Sequence, residues 1–294
     1  SDASDGVTPE LQPSGDVGLF AGGYNNSIYY NTIDFIDIAT TGNANDFGDL
    51  ATARYTLAGV SSSTRGIFGG GDNSAFDTVE YVTIAEKSNT TDFGDLTVGR
   101  YALGAVSNST RGVFLAGYNS SNALTNIMDY VTIASTGNAT DFGDTTSSSQ
   151  GPAGAQSTTR GVFNLGYTTD AVNVINYITI ASTGNATDFG DLTQARWFAG
   201  ACSSSTRALF AGGQQGSAAS YALSNVIDYI TISSTGNATD FGDLLYSTLY
   251  KTGTSNSTRG VFGGSGNSND IQYVTIASTG NAADFGDLTN SGTV

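Results

Sequence analysis

Short apolar runs, each closed by a polar turn, follow one another along the chain in groups of four. Within residues 54–96 the runs are 54–60, 66–71, 79–84 and 92–96, and Ser, Thr and Asn dominate the turns between them. The third run is richest in β-branched and aromatic residues, which favour strands. It lacks strict apolar and polar alternation, which indicates a sheet covered on both faces. We therefore predict four short strands in each group.

The same group recurs along the whole sequence. Five arginines in an S/T-T-R-G/A phrase lie 46, 49, 47 and 52 residues apart. Self-similarity at this period is typical of solenoids, propellers and arrays, and no helical periodicity is present. The segment STGNATDFGDL and its variants occur six times, with their phenylalanines at Phe47, Phe93, Phe142, Phe189, Phe241 and Phe285.

Six repeats of four strands predict an all-β fold, a six-bladed β-propeller of four-stranded antiparallel blades. We expect one domain over residues 1–294, with blades at about 6–50, 51–96, 97–145, 146–192, 193–244 and 245–294. The first strand of the first blade is expected at 6–14. That stretch contains Pro9 and Pro13, which suit an edge or closing position, so the closure of the ring is the least constrained feature.

The composition excludes several classes of partner and of site. The 294 residues include 10 basic and 26 acidic ones, a net charge of −16, which argues against nucleic acid and anionic membranes. No apolar run reaches the length of a membrane span. A single cysteine, Cys202, and the absence of histidine exclude internal disulfides, His-ligated metals and Ser–His–Asp triads. Because the chain begins at Ser1 without Met, we expect a processed or excised piece.

The repeated carboxylates and arginines are expected to be structural, because a catalytic site needs one unsymmetrical constellation. We expect the DFGD carboxylates to accept turn hydrogen bonds or to pair with arginines, and the arginines to join blade to blade as ion pairs. No catalytic residue, metal site or cofactor is predicted, although weak structural Ca²⁺ stays open. Cys202 is expected to be a small buried apolar residue. The structural repeat positions are Asp46, Asp49, Arg65, Asp92, Asp95, Arg111, Asp141, Asp144, Arg160, Asp188, Asp191, Arg207, Asp240, Asp243, Arg259, Asp284 and Asp287.

The order of motifs within a repeat resembles the kelch repeat. The quoted residues are Gly70-Gly71, Val79-Glu80-Tyr81, Phe93 and Arg100, and the resemblance covers the chain from about residue 15. The chain departs from kelch repeats in using Phe within DFGD where Trp is usual, and in lacking Asp-Pro after the third strand. The STGNATDFGDL copies are also similar to repeats of structural, tail-associated proteins of marine bacteriophages. That resemblance implies a place on the surface of a virion.

The repeats differ from one another chiefly between strands two and three. By strand parity these six loops open on one face, together with the connections from strand four to strand one. These loops are rich in Tyr, Asn, Ser and Gly, like antibody paratopes. Asn138, Asn185 and Asn237 lie outside them, in the constant N-x-T turns, and we interpret these asparagines as turn formers. The expected ligand-binding residues of the loop face are Tyr24, Tyr29, Tyr30, Phe76, Tyr118, Tyr167, Tyr221 and Trp197.

We therefore expect a non-enzymatic adhesion module on a virion or another extracellular surface. Its partner would be a host-surface glycan or protein, or a neighbouring virion protein, with no nucleic acid and no membrane insertion. Two alternatives stay open: a purely architectural role, and a polysaccharide hydrolase or lyase. The second would need carboxylates outside the DFGD register, of which the isolated ones are Asp72, Asp77, Glu86, Asp170 and Asp270.

Overall fold

The computed structural model describes residues 16–73, 76–217, 220–266 and 268–292, and it is a six-bladed β-propeller, as predicted. The strands of the described residues are β1 (Val17–Asn25), β2 (Ile28–Asp37), β3 (Asn45–Asp49), β4 (Ala58–Ser61), β5 (Arg65–Gly69), β6 (Thr78–Thr83), β7 (Thr91–Asp95), β8 (Arg100–Tyr101), β9 (Gly104–Ser107), β10 (Arg111–Asn119), β11 (Leu124–Thr132), β12 (Thr140–Ser149), β13 (Gly154–Gln156), β14 (Arg160–Asn164), β15 (Val174–Thr179), β16 (Thr187–Asp191), β17 (Gly200–Ser203), β18 (Arg207–Ala211), β19 (Gln214–Ser217), β20 (Ser220–Thr231), β21 (Thr239–Thr248), β22 (Thr252–Ser255), β23 (Arg259–Ser265), β24 (Ser268–Thr275) and β25 (Ala283–Asp287).

Each blade is an antiparallel meander that runs outward from the propeller axis. In blade 2 the order is β4-β5-β6-β7, and blades 4 and 6 repeat it as β13 to β16 and β22 to β25. Blade 3 contains an additional short strand, β8, beside β10, and blade 5 contains an additional strand, β19, beside β20. Blade 1 shows β1-β2-β3, and its predicted first strand, 6–14, lies outside the described residues. Within the described ranges no helix has the length and hydropathy needed to cross a membrane.

The ring closes between blade 6 and blade 1. Strand β22 contacts β1, as β17 contacts the corresponding strand β23 at the junction of blades 5 and 6. The guanidinium of Arg259 donates to the carbonyl of Ile38 at 2.9 Å, and Asn256 donates to the Asp16 carboxylate at 2.8 Å. The last blade is therefore joined to the first by the same kinds of contact that join the other blades.

The hydrophobic core lies between blades and forms six clusters, each of which draws on two neighbouring sheets. One cluster joins Val60 and Phe93 of blade 2 to Phe114 and Val131 of blade 3. This sandwiching explains why both faces of each middle strand are apolar. Cys202 is buried in such a cluster, as predicted, and burial raises the pKa of its thiol.

The STGNATDFGDL segment joins each blade to the next through its backbone. The outermost strand β7 offers the carbonyls of Phe93 and Asp95, which accept hydrogen bonds from Gly137 and Ala139 of the following blade at 2.7 Å. Between them, Asn138 Oδ1 accepts from the Asp95 N–H at 3.2 Å. The asparagine contact recurs at all six junctions, so each turn covers the edge strand of its neighbour. The six asparagines are Asn43, Asn89, Asn138, Asn185, Asn237 and Asn281.

The expected role of the DFGD carboxylates is therefore wrong. The first Asp of each pair is exposed and the second is exposed or half-buried, and among the described residues these side chains neither form the ion pairs nor accept the turn hydrogen bonds. The backbone of the outermost strand makes the bonds that recur at each junction, because its peptide groups face the turn of the next blade. The corrected positions are Asp46, Asp49, Asp92, Asp95, Asp141, Asp144, Asp188, Asp191, Asp240, Asp243, Asp284 and Asp287.

The turn arginines do connect neighbouring blades, but not as ion pairs. Arg111 stacks on Tyr130 of its own blade, with 4.2 Å from Cζ to the ring centre, and donates to the carbonyl of Ile180 in the next blade at 3.0 Å. An arginine can satisfy a ring face and a carbonyl together because its guanidinium is planar and carries several donors. The same pair of contacts is made by Arg65, Arg111, Arg160, Arg207 and Arg259.

The second arginine register does form ion pairs, but within a blade. Arg100 and Asp129 are both fully buried and lie 2.6 Å apart, and Arg196 and Asp228 repeat the pair at 2.8 Å. The acidic partner is the polar residue of the third strand, which the sequence analysis did not assign to an arginine. Arg54 lies 3.3 Å from Glu80 in the same way.

Candidate functional site

The loops between strands two and three lie beside the connections that lead from one blade to the next. Tyr24 of blade 1 packs on Tyr55 of the following connection, with ring centres 5.1 Å apart. Phe76 lies 5.9 Å from Tyr101 in the same arrangement one blade further along. An up-and-down meander brings these two kinds of segment to one side of the disc. We refer to this side as the loop face.

Around the propeller axis, the loop face carries a chain of residues with left-handed backbone. The backbone N–H of each residue donates to the backbone carbonyl of the one before it in the chain. The four bonds run from Ala102 to Thr56, from Gly151 to Ala102, from Phe198 to Gly151 and from Tyr250 to Phe198. Their φ angles are between +51° and +61°. Left-handed backbone is strained for branched and bulky side chains, so the surrounding structure must impose it. We call these five residues the collar.

Aromatic rings lie on the collar and beside it, and we call them the crown. Ring contacts of 4.1 to 5.9 Å link most neighbours, including Tyr101 with Tyr118 at 5.3 Å and Phe198 with Tyr250 at 4.1 Å. The members of the crown are Tyr24, Tyr29, Tyr55, Phe76, Tyr101, Tyr118, Tyr167, Trp197, Phe198 and Tyr250.

Ring contacts divide the crown into three groups, and the backbone hydrogen bonds of the collar link the connections that carry them. Burial raises the pKa of Tyr55, and after it the carboxylate of Asp72 and the hydroxyl of Tyr250 add to the increase. Burial likewise raises the pKa of Tyr118, with a further contribution from Tyr167. The collar residues beside these groups line the cavity along the propeller axis.

Six of the eight predicted ligand-binding residues are brought together in the crown: Tyr24, Tyr29, Phe76, Tyr118, Tyr167 and Trp197. Trp197 is nearly buried, with 7% of its surface exposed, and its indole N–H has no acceptor among the described residues. Tyr30 lies on β2 opposite Gly23, and its carbonyl accepts from the Arg54 N–H at 3.1 Å. Tyr221 lies on β20 and is 60% exposed.

Four crown residues were missed at the sequence level: Tyr55, Tyr101, Phe198 and Tyr250. Each lies one or two positions after the register of the buried arginines, at Arg54, Arg100, Arg196 and the equivalent Thr248. That register is itself a signal, because a buried arginine fixes the backbone on which the next side chain stands. Variable length selects the loops between strands two and three, and from these connections of constant length the sequence-based prediction includes only Trp197.

Polar groups lie between the rings. Asp72 pairs with Tyr55 in an isolated β-bridge, in which its N–H donates to the Tyr55 carbonyl at 2.9 Å, and its Oδ1 accepts from the N–H of Asn73 at 2.8 Å. The hydroxyl of Tyr101 donates to Asn122 Oδ1 at 2.7 Å. Burial raises the pKa of Tyr101, and the charge of Asp72 and then Tyr118 add to the increase. The N–H of Gly71 donates to the carbonyl of Arg100 at 2.9 Å, so the next residue, Asp72, lies beside the connection that carries Tyr101. The crown thus combines flat rings with a carboxylate and an amide.

All ten basic residues of the chain lie in the described ranges, and none is free on the loop face. Four of them, Arg54, Arg100, Arg196 and Lys251, are buried in ion pairs. The other six stand on the opposite side of the disc, at the turns between strands one and two or strands three and four, and each stacks on an aromatic ring of a third strand. These are Arg65, Lys87, Arg111, Arg160, Arg207 and Arg259.

A cavity of about 360 Å³ lies along the axis and is lined by the innermost strands and the collar. Lys251 borders it, and its ammonium group is 2.7 Å from the carboxylate of Asp270. Asp270 is therefore half of a buried ion pair. Over the described residues, no group of three or more Cys, Asp or Glu side chains is arranged to hold a metal ion.

Comparison with models of known protein families finds no match for the chain. Comparison with curated proteins also finds none. The fold and the loop face therefore carry the argument about function.

Proposed function

We propose that the protein is a non-enzymatic recognition module, and that the crown is the surface with which it contacts a glycan or a protein outside the cell. The observation that carries this proposal is the set of aromatic rings around the axis, all of them partly exposed except the nearly buried Trp197. Side chains that only fill a core would be buried between blades, as the DFGD phenylalanines are. Nine of the ten crown side chains are instead partly exposed on the loop face, and loops on rigid scaffolds commonly bind ligands.

The rigidity of the propeller favours binding by this surface. Tyrosine and tryptophan offer large contact areas and have few rotatable bonds, so little conformational entropy is lost when they bind. The collar and the ion pairs of the connections hold these rings before a ligand arrives. Preorganisation of this kind raises affinity because the cost of ordering has already been met in folding.

The location of the protein is also part of the proposal, and it rests on the sequence of the repeats rather than on the crown. The likeness of the STGNATDFGDL repeats to structural repeats of marine bacteriophages supports a place on a virion, near the tail. The order of motifs within a repeat supports a relation to kelch propellers. In that setting the partner of the crown would be a molecule on the surface of a host cell.

Direct binding tests the proposal. The full chain would be applied to glycan arrays and to intact host cells, beside a variant with Tyr101→Ala and Tyr118→Ala. We expect the double variant to lose at least 10-fold in binding, because two adjacent stacking surfaces are removed. Tyr246→Ala serves as the matched control, since Tyr246 is 52% exposed on β21 and lies outside the crown. Equal binding by the double variant and the parent would contradict the proposal.

One observation favours an architectural role as a second candidate. The largest exposed apolar side chains of the described residues concentrate in blade 5, where Tyr221, Leu223, Leu245 and Tyr246 lie on β20 and β21. Exposed apolar groups of this kind mark contacts with other proteins. If this surface joins neighbouring copies, sedimentation should show oligomers in the parent and monomers after Tyr221→Ser and Tyr246→Ser. The crown variants would leave that assembly intact.

A further inference from the structure

The free charge on the crown is negative. The four cations nearest to the loop face are buried with their own carboxylate partners, and the other six are stacked on the far side of the disc. Asp72, by contrast, lies between the connections that carry Tyr55 and Tyr101, and its carboxylate has no cation among its described partners. A ligand at this place would meet aromatic faces and an acceptor of hydrogen bonds.

We infer that the crown binds uncharged sugar residues, which stack on Tyr55 and Tyr101 while the Asp72 carboxylate accepts hydrogen bonds from their hydroxyl groups. This inference rests on the proposed function and specifies its ligand. A carboxylate can accept two hydroxyl donors at once, and bonds to a charged acceptor are stronger than those between neutral groups.

Anionic sugars would be excluded by the same arrangement. A sialic acid, a uronate or a sulfate ester would bring a second negative charge to a place where no arginine or lysine is available to compensate it. Like charges placed together across an interface cost affinity and so give specificity. Asn122, whose Oδ1 is held by the Tyr101 hydroxyl, keeps its amide N–H groups for a neutral acceptor such as a ring or acetamido oxygen.

A glycan suits the crown better than a protein partner does. Protein interfaces are centred on a few large side chains that enter pockets of the partner. None of the large apolar side chains that the described structure exposes most belongs to the crown. The crown rings are half-buried, except the nearly buried Trp197, and polar groups lie between them. Such a surface presents faces for stacking rather than protruding anchors.

The experiment compares neutral oligosaccharides with charged counterparts of similar size, with the full chain in each assay. The neutral probes are lactose, cellohexaose, mannohexaose and chitohexaose, and the charged probes are 3′-sialyllactose, oligogalacturonate and a sulfated galactan oligosaccharide. We expect at least one neutral probe to bind, with less than a twofold change between 50 and 500 mM NaCl, because no ion pair is formed. We expect at least 10-fold weaker binding of each charged probe.

Asp72→Asn should weaken binding of the neutral probe by about 10- to 100-fold, the loss that follows from weakening hydrogen bonds to a charged group. Asp170→Asn is the matched control. Its carboxylate also belongs to a loop between strands two and three and accepts from the next backbone N–H at 2.8 Å, as that of Asp72 does. The two variants change the net charge equally, so an equal effect of both would overturn the role of Asp72.

The remaining outcomes separate this inference from the function on which it rests. Tighter, salt-sensitive binding of a charged probe would overturn the choice of uncharged sugars and leave recognition by the crown intact. Failure of every glycan, together with crown-dependent binding to a purified host protein, would replace the ligand class with protein. If neither the glycans nor the host cells bind, the proposed function fails as well.

Discussion

The ammonium nitrogen of Lys87, in blade 2, lies 4.1 Å from the centre of the Phe35 ring in blade 1. In the other five blades this stacking position holds an arginine and a tyrosine of the same blade. Blade 1 has Val17 at the arginine register and Phe35 at the tyrosine register. A residue from the next blade therefore supplies the missing cation, and all six third strands carry one.

Replacement of Lys87 tests this compensation. We expect Lys87→Met to lower the free energy of unfolding by about 0.5–1 kcal/mol, the usual size of an exposed cation–π contact, while Lys87→Arg keeps it. Urea denaturation at two salt concentrations would measure the difference. If the methionine variant were as stable as the parent, the contact would have no part in holding the two blades together.

A buried acid without an arginine gives a pH prediction. Asp34 stands where Asp129 does, but residue 292, at the arginine register, is Gly. Burial raises the pKa of Asp34 above its ordinary 3.8, although bonds from Thr289 oppose the change. The folded state therefore holds this proton more tightly than the unfolded state. Its ionisation costs stability above the folded pKa, and that cost disappears as pH falls toward 3.8.

We expect Asp34→Asn to remove this part of the pH dependence and to leave stability at pH 7 equal or higher. The chain contains its own precedent, since Asn176 occupies the same register in blade 4 opposite Ser149 and accepts from the Thr146 hydroxyl at 2.8 Å. Asp129→Asn is the contrasting variant. It leaves the buried Arg100 without its carboxylate partner and should lower the free energy of unfolding by about 3–5 kcal/mol. Urea titrations between pH 4 and 7 would decide, and equal losses in both variants would refute the argument.

Close packing between neighbouring blades can be tested with a double variant. A Cβ added at Gly161 would lie 2.6 Å from Val106 Cγ2 of the preceding blade. We expect Gly161→Ala to lower the free energy of unfolding by about 1–3 kcal/mol through overpacking. Val106→Ala in the same chain should restore part of that stability. The next junction already uses this combination, with Ala155 and Ala208 in one core cluster. Purely additive effects in the double-mutant cycle would contradict the direct contact.

The junction asparagines provide a further prediction. Asn185 Oδ1 accepts from the N–H of Asp144 in the preceding blade at 3.1 Å. We expect Asn185→Ala to reduce the free energy of unfolding by about 0.5–1.5 kcal/mol, the ordinary net value of one hydrogen bond. Asn185→Ser, which keeps a shorter acceptor, should lose less. The comparison is made by chemical denaturation, and a neutral alanine variant would show that the backbone bonds alone hold the junction.

The sequence by itself determined the number of blades and the positions of their strands, because each repeat carries its own alternation of apolar runs and turns. In residues 54–96 the predicted second, third and fourth runs match β5, β6 and β7 to within a residue or two. The first run was set too early, since the strand begins at Ala58 and Tyr55 forms only an isolated bridge to Asp72. Local pattern carries this information because strands, turns and buried faces are properties of short segments.

Only the tertiary structure decided how the side chains of different repeats meet. The aromatic residues of the crown come from two registers that the meander brings side by side. Neither register by itself therefore shows the surface that they form together. The partners of the cations were also undetermined, because every repeat offers several carboxylates and aromatic rings at similar distances along the chain. The DFGD acids, which the pattern made conspicuous, lie on the outermost strand, where their backbone bonds to the next blade and their side chains face solvent. Burial then selected the acid of the third strand as the partner of the arginine, because a charge removed from water needs its counter-charge nearby, whereas an exposed acid does not.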